Sequence, residues 1–571
     1  MIIARDGQEA QAVVTTGAGP DQGLDADVVV VGAGPVGLVL AADLASRGAS
    51  VVLAEVRGYL EAPNVKCNHV SARTMEGFRR LGLAGKVRAA GLPADHPHDV
   101  AFRTAVVGTE FARIKIPCRA DRYTATDGAD SWWPTPEPPH RVNQTFLEPV
   151  LAEHVAALPG VSLLNRVRYR EFTQDNDGVL VTIEDLETGA TRTLRARFLV
   201  GCDGARSDVR NQIGARLSGT EVIQRVQSTC IRAPQLAALL PGERAWGYYS
   251  VNTIRCGTVF SIDGHSTYLV HNHLNHGEGD FDSIDRDASI RTILGVGGDF
   301  EYEVVSKEDW TGRRLVANRL RDRRVFIAGD AAHLWVPYAG YGMNAGIADA
   351  FNLSWLLAAV LDGWADPGIL DAYEAERQPI TEQVSRLAME HALKMMAARG
   401  AVPEGLGAAG READALRAEV GRFYYDLNVP QFAAAGLNFG YFYENSPVIG
   451  YDSEAAPGYT MGTFTPSTVP GCRAPHFWLP GGESLYDAFG PVYTLLRLRP
   501  GADTAPFERA MARHGVPLTV LDIEPGTAPA EYRHALVLCR ADQHVAWRGD
   551  RLPEDVTALI GRLRGADRHE S

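Results

Sequence analysis

The chain has 571 residues, with 56 Lys and Arg against 70 Asp and Glu for a formal charge of −14, a length that allows roughly three or four domain-sized cores. Its 45% apolar and 22% charged composition excludes wholesale disorder, and a pI near 5.6 argues against a protein that wraps a nucleic-acid duplex. Seven scattered cysteines, at 67, 118, 202, 230, 256, 472 and 539, form no CxxC pair, which fits a reduced intracellular chain rather than a disulfide-stapled one.

Residues 1–24 mix acids, Gly and Pro without an apolar run, so a flexible leader is expected there rather than a secretory signal. The run Asp27–Val31 reads as a buried parallel strand. Glycines follow, then a helix from about Val36 to Arg47 and a second strand over Ser50–Ala54, which makes a β-α-β unit. The apolar stretch Val28–Ala45 is too short and too broken by Gly, Pro and Asp to cross a bilayer. Residues 64–90 look helical, with Met75, Phe78 and Leu81 on one face. The stretch 118–140, rich in Pro, Trp and charge, is expected to be irregular. A helix resumes after Arg141, followed by alternating strands and a third buried run, Phe198–Val200.

Residues 217–311 alternate as a sheet-based insertion would. Arg324–Ala328 returns to the buried-strand style ahead of a long helix near 343–362, and 371–400 is strongly helical. The glycines and prolines of 401–454 suggest a connector. Strands then fall at Val492–Leu498, Leu518–Ile523, Ala535–Arg540 and Val545–Arg548, with helices near 504–514 and 553–564.

Three motifs carry chemistry. Gly32-Ala-Gly34-Pro35-Val36-Gly37 is GxGxxG between a strand and a helix, where glycine lets the backbone approach a pyrophosphate at the helix N-terminus. Glu55 closes the second strand, where a carboxylate can accept from ribose hydroxyls, with Arg57 beside it. Cys202-Asp203-Gly204 follows the third buried run. Finally, Gly329-Asp330 ends a buried strand, and Pro337, Gly340, Gly342, Met343 and Asn344 lead into the long helix.

Taken in order, these motifs resemble the FAD-dependent aromatic hydroxylases, the para-hydroxybenzoate hydroxylase and phenol hydroxylase family. The resemblance implies an α/β fold: a discontinuous Rossmann-like FAD-binding domain (25–110, 140–210 and 312–400), an inserted β-sheet substrate domain (111–139 and 211–311) and a thioredoxin-like C-terminal α/β domain (455–571). It implies non-covalent FAD, with Asp330 at the ribityl side, Asp203 in a fingerprint tied to FAD and nicotinamide use, and Arg73 and Gln144 as further FAD contacts. NADPH or NADH would be co-substrate, and a flavin C4a-hydroperoxide formed with O2 would hydroxylate a phenolic ring. The tail lacks a second thiol near Cys472, so it reads as structural or dimer-supporting rather than redox-active.

In the phenol hydroxylase branch an Asp precedes the helix Arg by a few residues. Here that place is Asn68, leaving His69 as a candidate base, with Tyr248 and Tyr249 as weaker ones. His265, His271, His273 and His276 lack completing carboxylates or thiols, so no metal is expected. Trp132 and Trp133 are expected to cover a pocket or fill a core. A cytoplasmic homodimer without nucleic-acid or membrane partners is expected. The alternatives are a tailoring oxygenase of a polycyclic, polyketide-type aromatic, including Baeyer–Villiger chemistry, and a catalytically silent flavin-binding interaction protein. Halogenation is disfavoured by the absence of a WxWxIP pattern.

Overall fold

Residues 23–566 are described by the computed structural model, apart from Cys67, His276 and Pro337, so the leader expectation falls almost wholly outside the described residues. The β-branched run Ala26–Val31 is buried almost throughout. It pairs in parallel with Val51–Ala54 on one side and with Thr191–Gly201 on the other. Val325–Ile327 and Val161–Leu164 extend this sheet in parallel at its two flanks. An antiparallel hairpin, Val167–Gln174 with Val179–Asp185, joins through Thr191–Gly201. A parallel sheet needs cover on its faces, and the helices Pro35–Ser46 and Tyr341–Leu361 supply it, packed against each other. Tyr341–Leu361 is, among the described residues, the one helix long and apolar enough to cross a membrane, and it is mostly buried inside the protein.

The second sheet has eight strands, drawn from Val100–Ile114, Leu217–His273 and Glu303–Leu334. Its first two strands, Val100–Arg103 and Glu110–Ile114, come from a stretch that the sequence motifs had divided between two domains. One face packs Ile231, Tyr248 and Val259 against the helix Arg286–Leu294. The other presents Phe102, Trp246 and Tyr249 toward Phe432. Phe432 ends the helix Arg411–Phe432, inside the stretch expected to be a connector. That expectation averaged two things: the Gly- and Pro-rich loop 401–410, and a helix that lies so close to Phe111 that a Cβ on Gly421 would sit 2.2 Å from its carbonyl oxygen.

The C-terminal sheet runs Leu518–Asp522, Tyr493–Arg497, Leu536–Arg540, Val545–Gly549, with only the first pair parallel. Its hairpin docks onto the first layer through charge. Arg540 is fully buried and donates to Glu376 Oε2 at 2.8 Å and to Asp542. Arg473 reaches Glu76 from the same domain. Burial opposes ionisation of Asp542 and Glu76, yet Arg540 and His544 hold the first carboxyl well below its usual range, and Arg473 and Arg73 lower the second.

Removing Arg540 strands buried carboxylates, so Arg540→Met should cost about 3–5 kcal/mol and lower the melting temperature. Both carboxyls titrate lower in the fold than in the unfolded chain. Their contribution is therefore complete above about pH 5 and lost as pH falls through the folded values. Thermal melts across that range should decline steeply in acid; a flat profile would contradict the docking role.

Candidate active site

The strand Ala26–Val31 ends at Gly32, whose φ of +98° turns the chain under the neighbouring strand end. A Cβ there would meet the Cys202 carbonyl oxygen at 2.4 Å, and one on Gly37 would meet the Gly32 carbonyl at 1.9 Å. At Gly34 the geometry is the reverse: a Cβ would project into open space. Gly34 is the N-cap of Pro35–Ser46, and no side chain caps that helix end. From Val36 on, its first N–H groups are orphan donors that face a trough, an arrangement suited to a pyrophosphate. Gly32, Gly34, Val36, Asp203, Gly342 and Met343 are half-exposed along this trough, and Asp330 is exposed in it.

At one end Glu55 Oε2 accepts from Ala33 N at 2.6 Å, while Oε1 accepts from the Arg57 backbone at 2.9 Å and from its Nε at 3.1 Å. A carboxylate has about four acceptor positions, so capacity remains for ribose hydroxyls. Arg57 also pairs with Glu148 at 2.9 Å, and Gln144 donates to the same carboxylate. Glu148, one helical turn beyond Gln144, was not singled out from sequence.

Asp203 spends its carboxylate locally, accepting from Ser207 Oγ and from Val209 N. Burial raises its pKa despite these bonds. Arg210 ties this turn to the next motif by donating to the carbonyls of Ala205 and Ala331. The Gly329–Asp330 turn is held from below by a residue the motifs did not flag. Asp349, fully buried in the apolar helix Tyr341–Leu361, accepts from Gly329 N at 3.1 Å, lies 2.7 Å from His333 Nε2, and pairs with Arg377 at 2.8 Å. A lone acid between alanines in an apolar helix was the available signal.

The N-terminus of Tyr341–Leu361 also lacks a side-chain cap. Gly340 adopts φ +64° there, and a Cβ would press on His69 at 2.9 Å, whereas Gly342 faces open space. Asn344 accepts from Ser71 N and Thr74 Oγ1, both at 2.8 Å, and donates to the His69 and Gly340 carbonyls. It locks this helix start to the helix Ala72–Arg80. Two uncapped helix starts thus border a trough whose glycines leave room for a flat, anionic cofactor, and these residues fit FAD. Pro337 lies outside the described residues.

Other expected contacts differ. Arg73 donates to Glu76 at 2.9 Å, to the Asp542 carbonyl at 2.9 Å and to Gln543, so it docks the C-terminal domain instead. Tyr248 is 1% exposed, and its hydroxyl accepts from Ala245 N on the sheet face away from the trough, which makes it a packing residue. Tyr249, one residue on, points to the opposite face beside Phe102 and Phe432. His69 is buried next to Arg141, whose cation lies 5.2 Å over the Trp246 ring. Burial, Arg141 and His140 keep its pKa well below the usual value.

The alternating histidines lie on the trough-facing side of the sheet. His271 pairs with Ser228 at 2.8 Å and packs edge-on to Trp310, and His273 pairs with Gln224 at 3.0 Å. Burial pushes His271 down to about 4. Among the described residues no group of three or more His, Cys, Asp or Glu could hold a metal; His276 lies outside them. Trp133 is buried against Phe439, while Trp132 is exposed.

The model of a family described as "FAD binding domain" matches residues 25–388, and that of "Aromatic-ring hydroxylase, C-terminal" matches 467–566. The tetracenomycin B2 monooxygenase-dioxygenase of Streptomyces olivaceus is 30% identical, over 94% of this chain and 97% of its own. Phenol 2-monooxygenase of a Pseudomonas species is 28% identical, over 95% and 93% respectively. Among solved structures, RebC soaked with chromopyrrolic acid and holding 7-carboxy-K252c is 35% identical, with a TM-score of 0.85, over 95% of this chain and 100% of that one. The chain belongs to the FAD-dependent aromatic-ring hydroxylases and is a flavoprotein monooxygenase.

Gly34→Ala should fold normally but place a methyl group in the trough, weakening FAD binding by about tenfold or more, about 1.4 kcal/mol. Gly37→Ala should lose both cofactor and stability. Circular dichroism and FAD fluorescence titration distinguish the two, and unchanged FAD affinity in Gly34→Ala would contradict the placement.

Proposed function

We propose that this protein hydroxylates a phenolic aromatic compound, taking electrons from NADH or NADPH and an oxygen atom from O2. The observation that carries this reading is a junction: the uncapped helix starts at Gly34 and Gly340 open onto a trough, across which stands a sheet face of aromatic rings and neutral imidazoles. Bound FAD would supply the redox chemistry, accepting hydride from the nicotinamide and activating O2. The protein's part is to bind, orient and exclude water. Trp246, Phe260 and Trp310 offer flat apolar surface to a ring. Relatives named for phenol and tetracenomycin B2 support an aromatic substrate. Arg206, exposed at the Asp203–Gly204 turn, offers a cation to a nicotinamide dinucleotide.

His69 is buried against the Arg141 guanidinium, which opposes a second positive charge beside it and so disfavours His69 as the acceptor of a phenolic proton. His271, half-exposed on the opposite wall and neutral, is better suited to accept from the substrate hydroxyl. The six described cysteines are unpaired, which supports a reducing, cytoplasmic setting. Sedimentation of the holoenzyme decides between a monomer and the homodimer.

Purified protein should be yellow and should oxidise NADH or NADPH with formation of a hydroxylated product, followed by mass; a colourless protein that takes up no FAD overturns the reading. His271 protonates only as pH falls toward about 4. Hydroxylation should therefore be flat between about pH 6 and 8 and decline in acid. His271→Phe should lower product formation far more than flavin reduction in stopped-flow traces, and equal slowing would remove it from the substrate site.

A further inference from the structure

Arg399 lies half-exposed in the last turn of the helix Asp371–Gly400. Its guanidinium donates to two neutral groups, Tyr338 Oη at 3.1 Å and Gln224 Oε1 at 2.8 Å. Among the described residues no carboxylate lies within ion-pair distance of it. Its charge acts instead on Tyr249, Cys256, His273, His391 and Tyr424, none of which is anionic at neutral pH. One neighbour is itself incomplete: the Tyr424 hydroxyl is buried, at 2% exposure, and has no hydrogen-bond partner among the described residues, whereas His391, 5.4 Å from the Tyr338 ring, has Asn428 as a partner. Buried donors without acceptors are costly. A cation in a last helical turn suits the helix dipole, but a guanidinium facing water would do that equally, and it would leave the Tyr424 hydroxyl unexplained.

The set has a cation, spare donors and no countercharge, and it adjoins the reacting region: Tyr338 opens the turn Tyr338–Gly340 that leads into the helix start at Tyr341. We propose that Arg399, with Tyr338 and Tyr424, forms a subsite for a carboxylate carried by the aromatic substrate. Only the aromatic frame of that ligand rests on the hydroxylase reading. A phenol, with a pKa of about 10, stays neutral near pH 7 and is served by the imidazole wall. A carboxylate brings its charge with it and can take a bidentate pair of charge-assisted hydrogen bonds.

The FAD holoenzyme is titrated with 1-hydroxy-2-naphthoate and with 1-naphthol, reading the perturbation of the flavin absorbance. The acid should bind at least about tenfold tighter. Arg399→Gln should abolish that preference and leave 1-naphthol affinity unchanged, Arg399→Lys should recover part of it, and the nearly isosteric Tyr424→Phe should weaken only the acid. Equal binding of the two ligands by the wild type, an acid preference surviving in Arg399→Gln, or no perturbation by either ligand overturns the subsite. If the preference holds but no hydroxylated product forms with NADH or NADPH, the hydroxylase reading falls and the subsite stands.

Discussion

The buried carboxylate of Asp349 is the constraint on which the rest of the site depends. It holds the Gly329 backbone, His333 and Arg377 at once, and so joins a strand end, a short strand and two long helices at one point. Burial opposes its charge, yet His333 and Arg377 lower its pKa. An ion in that position is stabilising only with every partner in place. The Gly329–Asp330 turn is therefore set by a side chain that never faces the cofactor trough.

Its reach extends further through chain adjacency. Arg377 takes Asp349, while the preceding residue, Glu376, takes Arg540 and Asn352. The C-terminal hairpin and the cofactor turn are thus anchored on neighbouring residues of one helix. Cys472 and Cys539 are buried and unpaired in this domain. The domain braces the helix Ala72–Arg80 through Arg73 and the helix Asp371–Gly400 through Arg540.

Much of this was legible in the sequence, for reasons that differ by element. Buried parallel strands are continuous β-branched runs, and Ala26–Val31 and Val325–Ile327 stood out for that reason. The tail's strands and helices were read within a few residues because loops with Gly, Pro and Asp punctuate them. Glycine motifs were legible because backbone approach admits no other residue. Long-range side-chain choices were not. Arg73 could face either neighbour of its helix, and nothing local says that Asp542 would claim it. Tyr248 and Tyr249 look alike in sequence, yet the strand's two-residue period sends one toward the helix Arg286–Leu294 and the other toward Phe102 and Phe432. Arg399 was invisible because its meaning lies in the carboxylates it lacks.

The strand order of the first sheet also bears on how the chain is made. The strand Thr191–Gly201 pairs on one flank with Ala26–Val31 and on the other with Val325–Ile327, and the helix covering them ends at Leu361. On a ribosome the first β-α-β unit emerges long before the strands that complete its sheet, and contacts so distant in sequence close slowly. The strand Thr191–Gly201 must then wait, with one edge unpaired, until well over half the chain has been synthesised. The nascent protein is accordingly most vulnerable to aggregation while that flank is open, and FAD can guard it only after the late strands arrive.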